Sequence, residues 1–258
     1  MDGSVTTEDA RLIMRLAMGL DDGLDTAQRK KADFDGKDGV TMEDARYTLR
    51  VCMGMDPYAP KLEPGYTYKG RTARDYPIAE KDGVTYIVNP YGYTLIANKT
   101  YSLPADYAPG DLTPECSEAF REMAAAAARD GVNLYVVSGY RSYSLQSSLY
   151  QRYAAKDGYA AADTYSARPG HSEHQTGLAM DLNSLSSSFA YTKEGKWLAA
   201  NAHKYGFIIR YPYNKQSVTG YIYEPWHVRY LGTEVAKAVY FSGLTLEEYL
   251  GITSVYSY

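Results

Sequence analysis

Apolar positions in the first 57 residues recur at helical spacing. Leu12, Ile13 and Leu16 follow the acidic pair Glu8 and Asp9, and Gly19 stands where a helix would end, so a short helix is predicted there. The pattern returns with an offset of 35 residues: Glu8, Asp9, Ala10, Arg11, Arg15, Met18 and Gly19 match Glu43, Asp44, Ala45, Arg46, Arg50, Met53 and Gly54. This internal duplication predicts two short helices, each with a preceding loop, packed against one another. Pro57, Pro60, Pro64 and Gly65 then punctuate the chain, dividing it into a helical module over 1–57, a linker over 58–76 and a second domain over 77–258. In the second domain the period changes. Residues 83–90 and 93–99 read as a hairpin around Tyr91 and Gly92, residues 114–131 as a helix stopped by its glycine, and 133–142 as a strand running into a turn. A helix over 142–158, a strand over 177–183, a helix over 196–207 and a strand interrupted by proline over 221–232 follow. Helices and strands in this order predict an α+β fold with an antiparallel sheet.

Composition sharpens the division. Of 28 tyrosines in the 258 residues, only Tyr47 lies in the first 57, so the two parts differ in character. Tyr140 and Tyr143 flank Arg141, while Tyr221, Tyr223 and Tyr230 surround Glu224 to His227; these are candidate cleft residues, because tyrosine offers large area with a polar tip. A net charge of −4 with both signs mixed along the chain lacks the basic field that nucleic-acid binding requires. No apolar run approaches the roughly 18 residues of a membrane span, and Met1 is followed by polar and acidic residues rather than a leader-like segment. Cys52 and Cys116 lack the clustered spacing of a metal site, so any metal must rely on other donors.

The chemistry concentrates in three short stretches. In residues 168–183, His174 precedes a strand that alternates Leu178, Met180 and Leu182 with Ala179, Asp181 and Asn183. A carboxylate set beside apolar neighbours is costly unless it is paired or metal-bound. In Glu224–Pro225–Trp226–His227, a carboxylate and an imidazole stand three apart; a regular strand would face them oppositely, but a kink at Pro225 could turn both toward one cavity. In residues 138–142, Arg141 lies just past a strand end. Two imidazoles and one carboxylate leave a fourth position open on zinc, and an additional glutamate supplies a base: this is the inventory of a metallopeptidase. His171 reads as a surface residue, His203 as structural, and Trp226 as packing against the site wall. Separately, residues 33–44 have the twelve-residue length of a calcium loop, with Asp33, Asp35 and Asp44 at its first, third and twelfth positions, although Lys37 replaces the usual fifth ligand.

These motifs carry two resemblances. The duplicated module resembles a dockerin, which implies calcium as a second cofactor at Asp33, Asp35 and Asp44 and a cohesin-type protein partner; the first copy retains only Asp2, Gly3 and Asp9 of its loop. Residues 138–142, the glutamine of the following helix, residues 172–181 and residues 224–232 resemble the VanY-type D-alanyl-D-alanine carboxypeptidases over roughly 83–251. That resemblance implies the zinc fold shared with Hedgehog and D,D-peptidase domains, zinc on His174, Asp181 and His227, Glu224 as catalytic base and Arg141 on the oxyanion. Ser172 and Gln146 match positions that contact the substrate's terminal residue. The implied substrate is a peptidoglycan stem peptide and the implied location extracytoplasmic; L,D-carboxypeptidase or endopeptidase action at the same site, or a non-catalytic zinc-stabilised wall-binding domain, are the alternatives.

Overall fold

The computed structural model describes residues 6–20, 25, 29, 32, 39–53 and 62–256, and divides the chain into units of residues 1–61 and 62–258. In the first unit, α1 (Thr7–Ala17) and α2 (Met42–Cys52) pack on one another around Ile13, Leu16 and Ala45. The duplication extends to the helix starts. The Thr6 amide and hydroxyl both donate to Asp9, and the Thr41 amide (2.8 Å) and hydroxyl (2.9 Å) both donate to Asp44 Oδ2. Each aspartate satisfies the amide of the threonine that opens its helix, and at Thr6 the hydroxyl also accepts from the Asp9 amide, closing a reciprocal cap. Asp44, expected as a calcium ligand, is buried with this oxygen engaged in the cap; Asp33 and Asp35 lie outside the described residues.

The second unit begins inside the stretch expected to be linker. β1 (Thr67–Arg71), β2 (Pro77–Lys81), β3 (Val84–Asn89) and β4 (Gly92–Ile96) form an antiparallel meander, with Asn89 opposite Gly92 at the predicted hairpin. A second antiparallel sheet has the order β5 (Val136–Ser138), β6 (Ala179–Leu182), β8 (Glu224–Tyr230), β7 (Phe207–Tyr211). Helix α3 (Pro114–Arg129) is capped by Thr113, whose hydroxyl accepts from the Cys116 amide, and has proline at its first position. It lays Cys116, Met123 and Ala127 into a core with Met180, Leu182 and Val228 of the sheet and Leu198 of α6 (Lys193–Asn201). Helices α4 (Tyr143–Asp157), capped by Ser142, and α5 (Tyr159–Tyr165) form a separate pair. α7 (Gln216–Thr219) is a single turn. α8 (Thr233–Ser242) and α9 (Leu246–Leu250) place Val235, Val239, Leu246 and Leu250 in a core shared with Ile87 and Ile96 of the meander and Ile208 of β7. The mixed helical and antiparallel fold agrees with the sequence pattern. β1, β2, β7, α5, α7, α8 and α9 are additions to it.

Candidate metal centre

Three strands align the centre. Ser138 of β5, Asp181 of β6 and His227 of β8 are cross-strand neighbours in one row, so their side chains leave the same face. The β7–β8 ladder then slips. Ile209 faces Val228 and Tyr211 faces Glu224, so a single residue of β7 spans what three residues of β8 span, and the surplus falls on Pro225, Trp226 and His227. Pro225 has no N–H for the ladder, and the strand bows there. Glu224 and His227 are thereby brought to one side, with Oε2 3.7 Å from Nδ1, which an ordinary pleat would prevent.

His174 arrives on a 3-10 turn, Glu173–Thr176, that Gly177 closes with φ +69°. A Cβ on Gly177 would lie 2.6 Å from the Asp111 carbonyl oxygen, so only glycine allows both the left-handed conformation and this approach. His174 Nδ1 meets the Gly139 carbonyl at 2.7 Å, which turns Nε2 toward Asp181 Oδ2, 3.3 Å away. His227 Nδ1 lies 3.1 Å from Asp181 Oδ1, and the two imidazoles cross at 84° with centroids 4.9 Å apart. These separations are of the size that a tetrahedral ion with bonds of about 2.0–2.1 Å imposes on its ligands, about 3.3 Å. Asp181 Oδ1 is enclosed without a hydrogen-bond donor, and the donor atoms of His174, Asp181 and His227 all fall within 4.8 Å of one another. The set fits zinc: nitrogen and oxygen donors, three in number, beside an open cavity.

The charges suit that role. Burial alone would raise the Asp181 carboxyl, but the His174 and His227 imidazoles outweigh it and hold the carboxyl far below its ordinary range. Burial dominates at His174 and lowers it, keeping the ring neutral. At His227 burial is outweighed by the neighbouring Asp181 and Glu173 carboxylates, which carry the metal-free ring up to about 9. Glu224 is pushed up to about 7, mainly by burial.

Around this set lies a cavity of about 320 Å³ whose walls include Arg141, Ser172, Leu149, Tyr153, Tyr165, Tyr211, Tyr221, Ile222 and Trp226. Arg141 Nη1 donates to Gln146 Oε1 (2.8 Å) and Nη2 to Ser138 Oγ (2.9 Å), with Nη2 4.0 Å from Asp181 Oδ2.

The chain matches the family described as VanY, D-alanyl-D-alanine carboxypeptidase, over residues 110–233. It is 42% identical over 196 residues to YodJ of Bacillus subtilis strain 168, covering 67% of this chain and 72% of YodJ. It belongs to the VanY carboxypeptidase family. Among solved structures, the L,D-carboxypeptidase DacB of Streptococcus pneumoniae shares 41% identity with a TM-score of 0.63, covering 70% of this chain and 98% of DacB. A vancomycin-resistance D,D-pentapeptidase VanY in complex with Zn(II) shares 37% identity with a TM-score of 0.53, covering 60% and 97%. The chain spans 54% and 50% of two enterococcal D-alanyl-D-alanine carboxypeptidases.

In this VanY-type domain His174, Asp181, His227, Glu224, Arg141 and Ser172 all border one cavity. Gln146 does not. It is fully enclosed behind Arg141, accepting from the guanidinium and donating to the Ala167 carbonyl at 2.6 Å. His171, expected at the surface, is half-buried and bonded through Nδ1 to the Asn98 carbonyl at 2.8 Å. His203 is structural, stacked on Tyr240, and both cysteines are free. Trp226 both lines the cavity and joins the main core. Of the five tyrosines singled out in the sequence, Tyr221 lines the cavity and Tyr140, Tyr143, Tyr223 and Tyr230 do not; Tyr153, Tyr165 and Tyr211 line it as well. Tyr211, the cross-strand partner of Glu224, escaped the sequence reading because β7 itself did. Ser138 escaped because a serine in a strand carries no signal of the arginine it holds.

Proposed function

We propose that the VanY-type domain is a zinc D-alanyl-D-alanine carboxypeptidase that hydrolyses the terminal D-alanine from peptidoglycan stem peptides outside the cytoplasm. The observation that carries this reading is Glu224: a buried carboxylate, lifted to about 7, beside a three-donor set that opens onto a cavity. A structural zinc site has no use for such a base. Bound at His174, Asp181 and His227, zinc supplies Lewis acidity toward water and toward the scissile carbonyl. Glu224 takes a proton from the attacking water and returns it to the leaving amine. Arg141, held by Gln146 and Ser138, presents fixed positive charge where the carbonyl oxygen becomes negative. Ser172 on the cavity wall meets the terminal residue.

The second reading, L,D-carboxypeptidase action on stems ending in a single D-alanine, is favoured by the likeness to DacB along 98% of that chain. Zinc-loaded protein incubated with muropeptides ending in D-Ala-D-Ala and in one D-alanine separates the readings by product mass. Loss of one alanine from the first substrate is the expected result, loss from the second alone supports the alternative, and release from neither, with zinc bound, overturns the enzyme reading.

For the N-terminal unit we propose a dockerin-type role, calcium-dependent docking to a cohesin-type partner, supported by its duplicated helices with matching Thr–Asp caps. Calcium titrated into the intact chain is expected to release binding heat that Asp33→Ala removes; no heat in the parent chain refutes it.

A further inference from the structure

Each imidazole of the metal centre has a second nitrogen, and the structure treats the two differently. That of His174, Nδ1, meets the Gly139 carbonyl. That of His227, Nε2, is enclosed with no hydrogen-bond partner among the described residues; so is Glu173 Oε2, and the two atoms lie 3.5 Å apart. Glu173 is itself 2% exposed and adjoins the ligand His174 in sequence. Its other oxygen, Oε1, accepts from Arg210 Nε (2.7 Å) and Arg229 Nη1 (2.9 Å), and Arg210 in turn grips Glu247 of α9 with Nη1 at 2.8 Å. Two arginines on neighbouring strands thus fix one oxygen of Glu173 and leave the other facing the ligand. A buried carboxylate is costly to keep, and two guanidiniums are needed to keep this one. A salt bridge made for stability alone has no reason to leave an oxygen empty toward an imidazole.

From this arrangement we propose that Glu173 is a positioning residue for the metal centre, holding the hydrogen of His227 on Nε2 so that Nδ1 faces the ion. Carboxylates in this relation to a ligating histidine fix its tautomer and ring orientation, and their loss typically weakens metal binding 10- to 100-fold. The Glu247–Arg210–Glu173 chain extends the support to α9. The inference rests on the zinc reading of the site and not on the peptidase reading, since its readouts need no substrate.

The test uses the full chain loaded with zinc. Long-range proton–nitrogen correlation of the parent protein is expected to show His227 with its hydrogen on Nε2 and metal on Nδ1, and His174 with the reverse. In Glu173→Gln, competition with a chelator is expected to raise the zinc Kd about 10- to 100-fold. The His227 Nε2–H resonance should shift while that of His174 Nδ1–H, held by Gly139, stays in place. Zinc binding within threefold of the parent with an unmoved His227 resonance overturns the proposal. If the variant does not fold, the parent spectrum decides, because hydrogen on His227 Nδ1 and metal on Nε2 would equally refute it. Failure of the parent chain to bind zinc would instead strike the zinc reading.

Discussion

Glu224→Gln is expected to keep stoichiometric zinc and to lower D-alanine release on the order of a thousandfold, the scale of a removed general base. Glutamine preserves size and hydrogen-bonding capacity but cannot take the water's proton. The three donor side chains are untouched, so metal content by atomic absorption should match the parent. pH dependence gives the prediction its sign. Burial lifts Glu224 to about 7 in the metal-free chain, and a dication beside it favours the carboxylate, so the acid limb of kcat/KM in the loaded enzyme should lie below 7. Activity falls as pH drops through that limb, because the protonated acid no longer accepts. Stability runs the other way. A carboxyl whose folded-state pKa lies above its unfolded value stabilises below about 4.5, and that contribution is lost as pH rises toward 7. Metal-free Glu224→Gln should therefore unfold at a higher temperature than the metal-free parent at pH 8. A variant retaining activity within tenfold of the parent would remove Glu224 from its role.

Arg210→Met is expected to cost about 3–5 kcal/mol of folding stability, the penalty for breaking a buried ion pair from one side. Arg210 and Glu247 are both almost completely enclosed and joined at 2.8 and 2.5 Å. Without the guanidinium, Glu247 keeps, among the described residues, the Asn98 amide at 3.1 Å as side-chain donor, and Glu173 keeps Arg229. For a unit of this size a loss of that order lowers Tm by roughly 10 °C. The double variant Arg210→Met, Glu247→Leu should recover at least half of the loss, since it removes both charges and leaves Glu173 and Arg229 balanced. Denaturant unfolding of the four proteins in the cycle measures the coupling; a double variant no better than Arg210→Met would mean that packing, not charge, is at stake.

Much of the site was legible because its pieces are local. His174 with Asp181, and Glu224 with His227, sit in short stretches where a carboxylate beside apolar neighbours or a proline in a strand already departs from ordinary patterning. The expected kink at Pro225 exists, as the β7–β8 register slip shows. Gln146 was given a substrate contact only through the family resemblance; that it is enclosed behind Arg141 is a fact of the tertiary structure. β7 went unread as a strand: after the helical run of residues 196–207, its five residues, Phe207 to Tyr211, include an arginine and give too short a period to register. Losing it hid Tyr211 and Arg210 together.

The charged core shows the boundary most clearly. Glu173, Arg210, Arg229 and Glu247 carry no local sequence signal of enclosure, yet all four are buried. Helix starts at Thr6, Thr113 and Ser142, the hairpin at Tyr91 and Gly92, the duplication and the donor motifs follow from forces acting across a few residues: capping, period and turn geometry. Whether a charge can be enclosed depends on partners 37 or 56 positions away, on a turn, two strands and a helix. No local preference encodes that meeting; it exists once the sheets have packed, when desolvation makes each unpaired charge costly and each pairing specific.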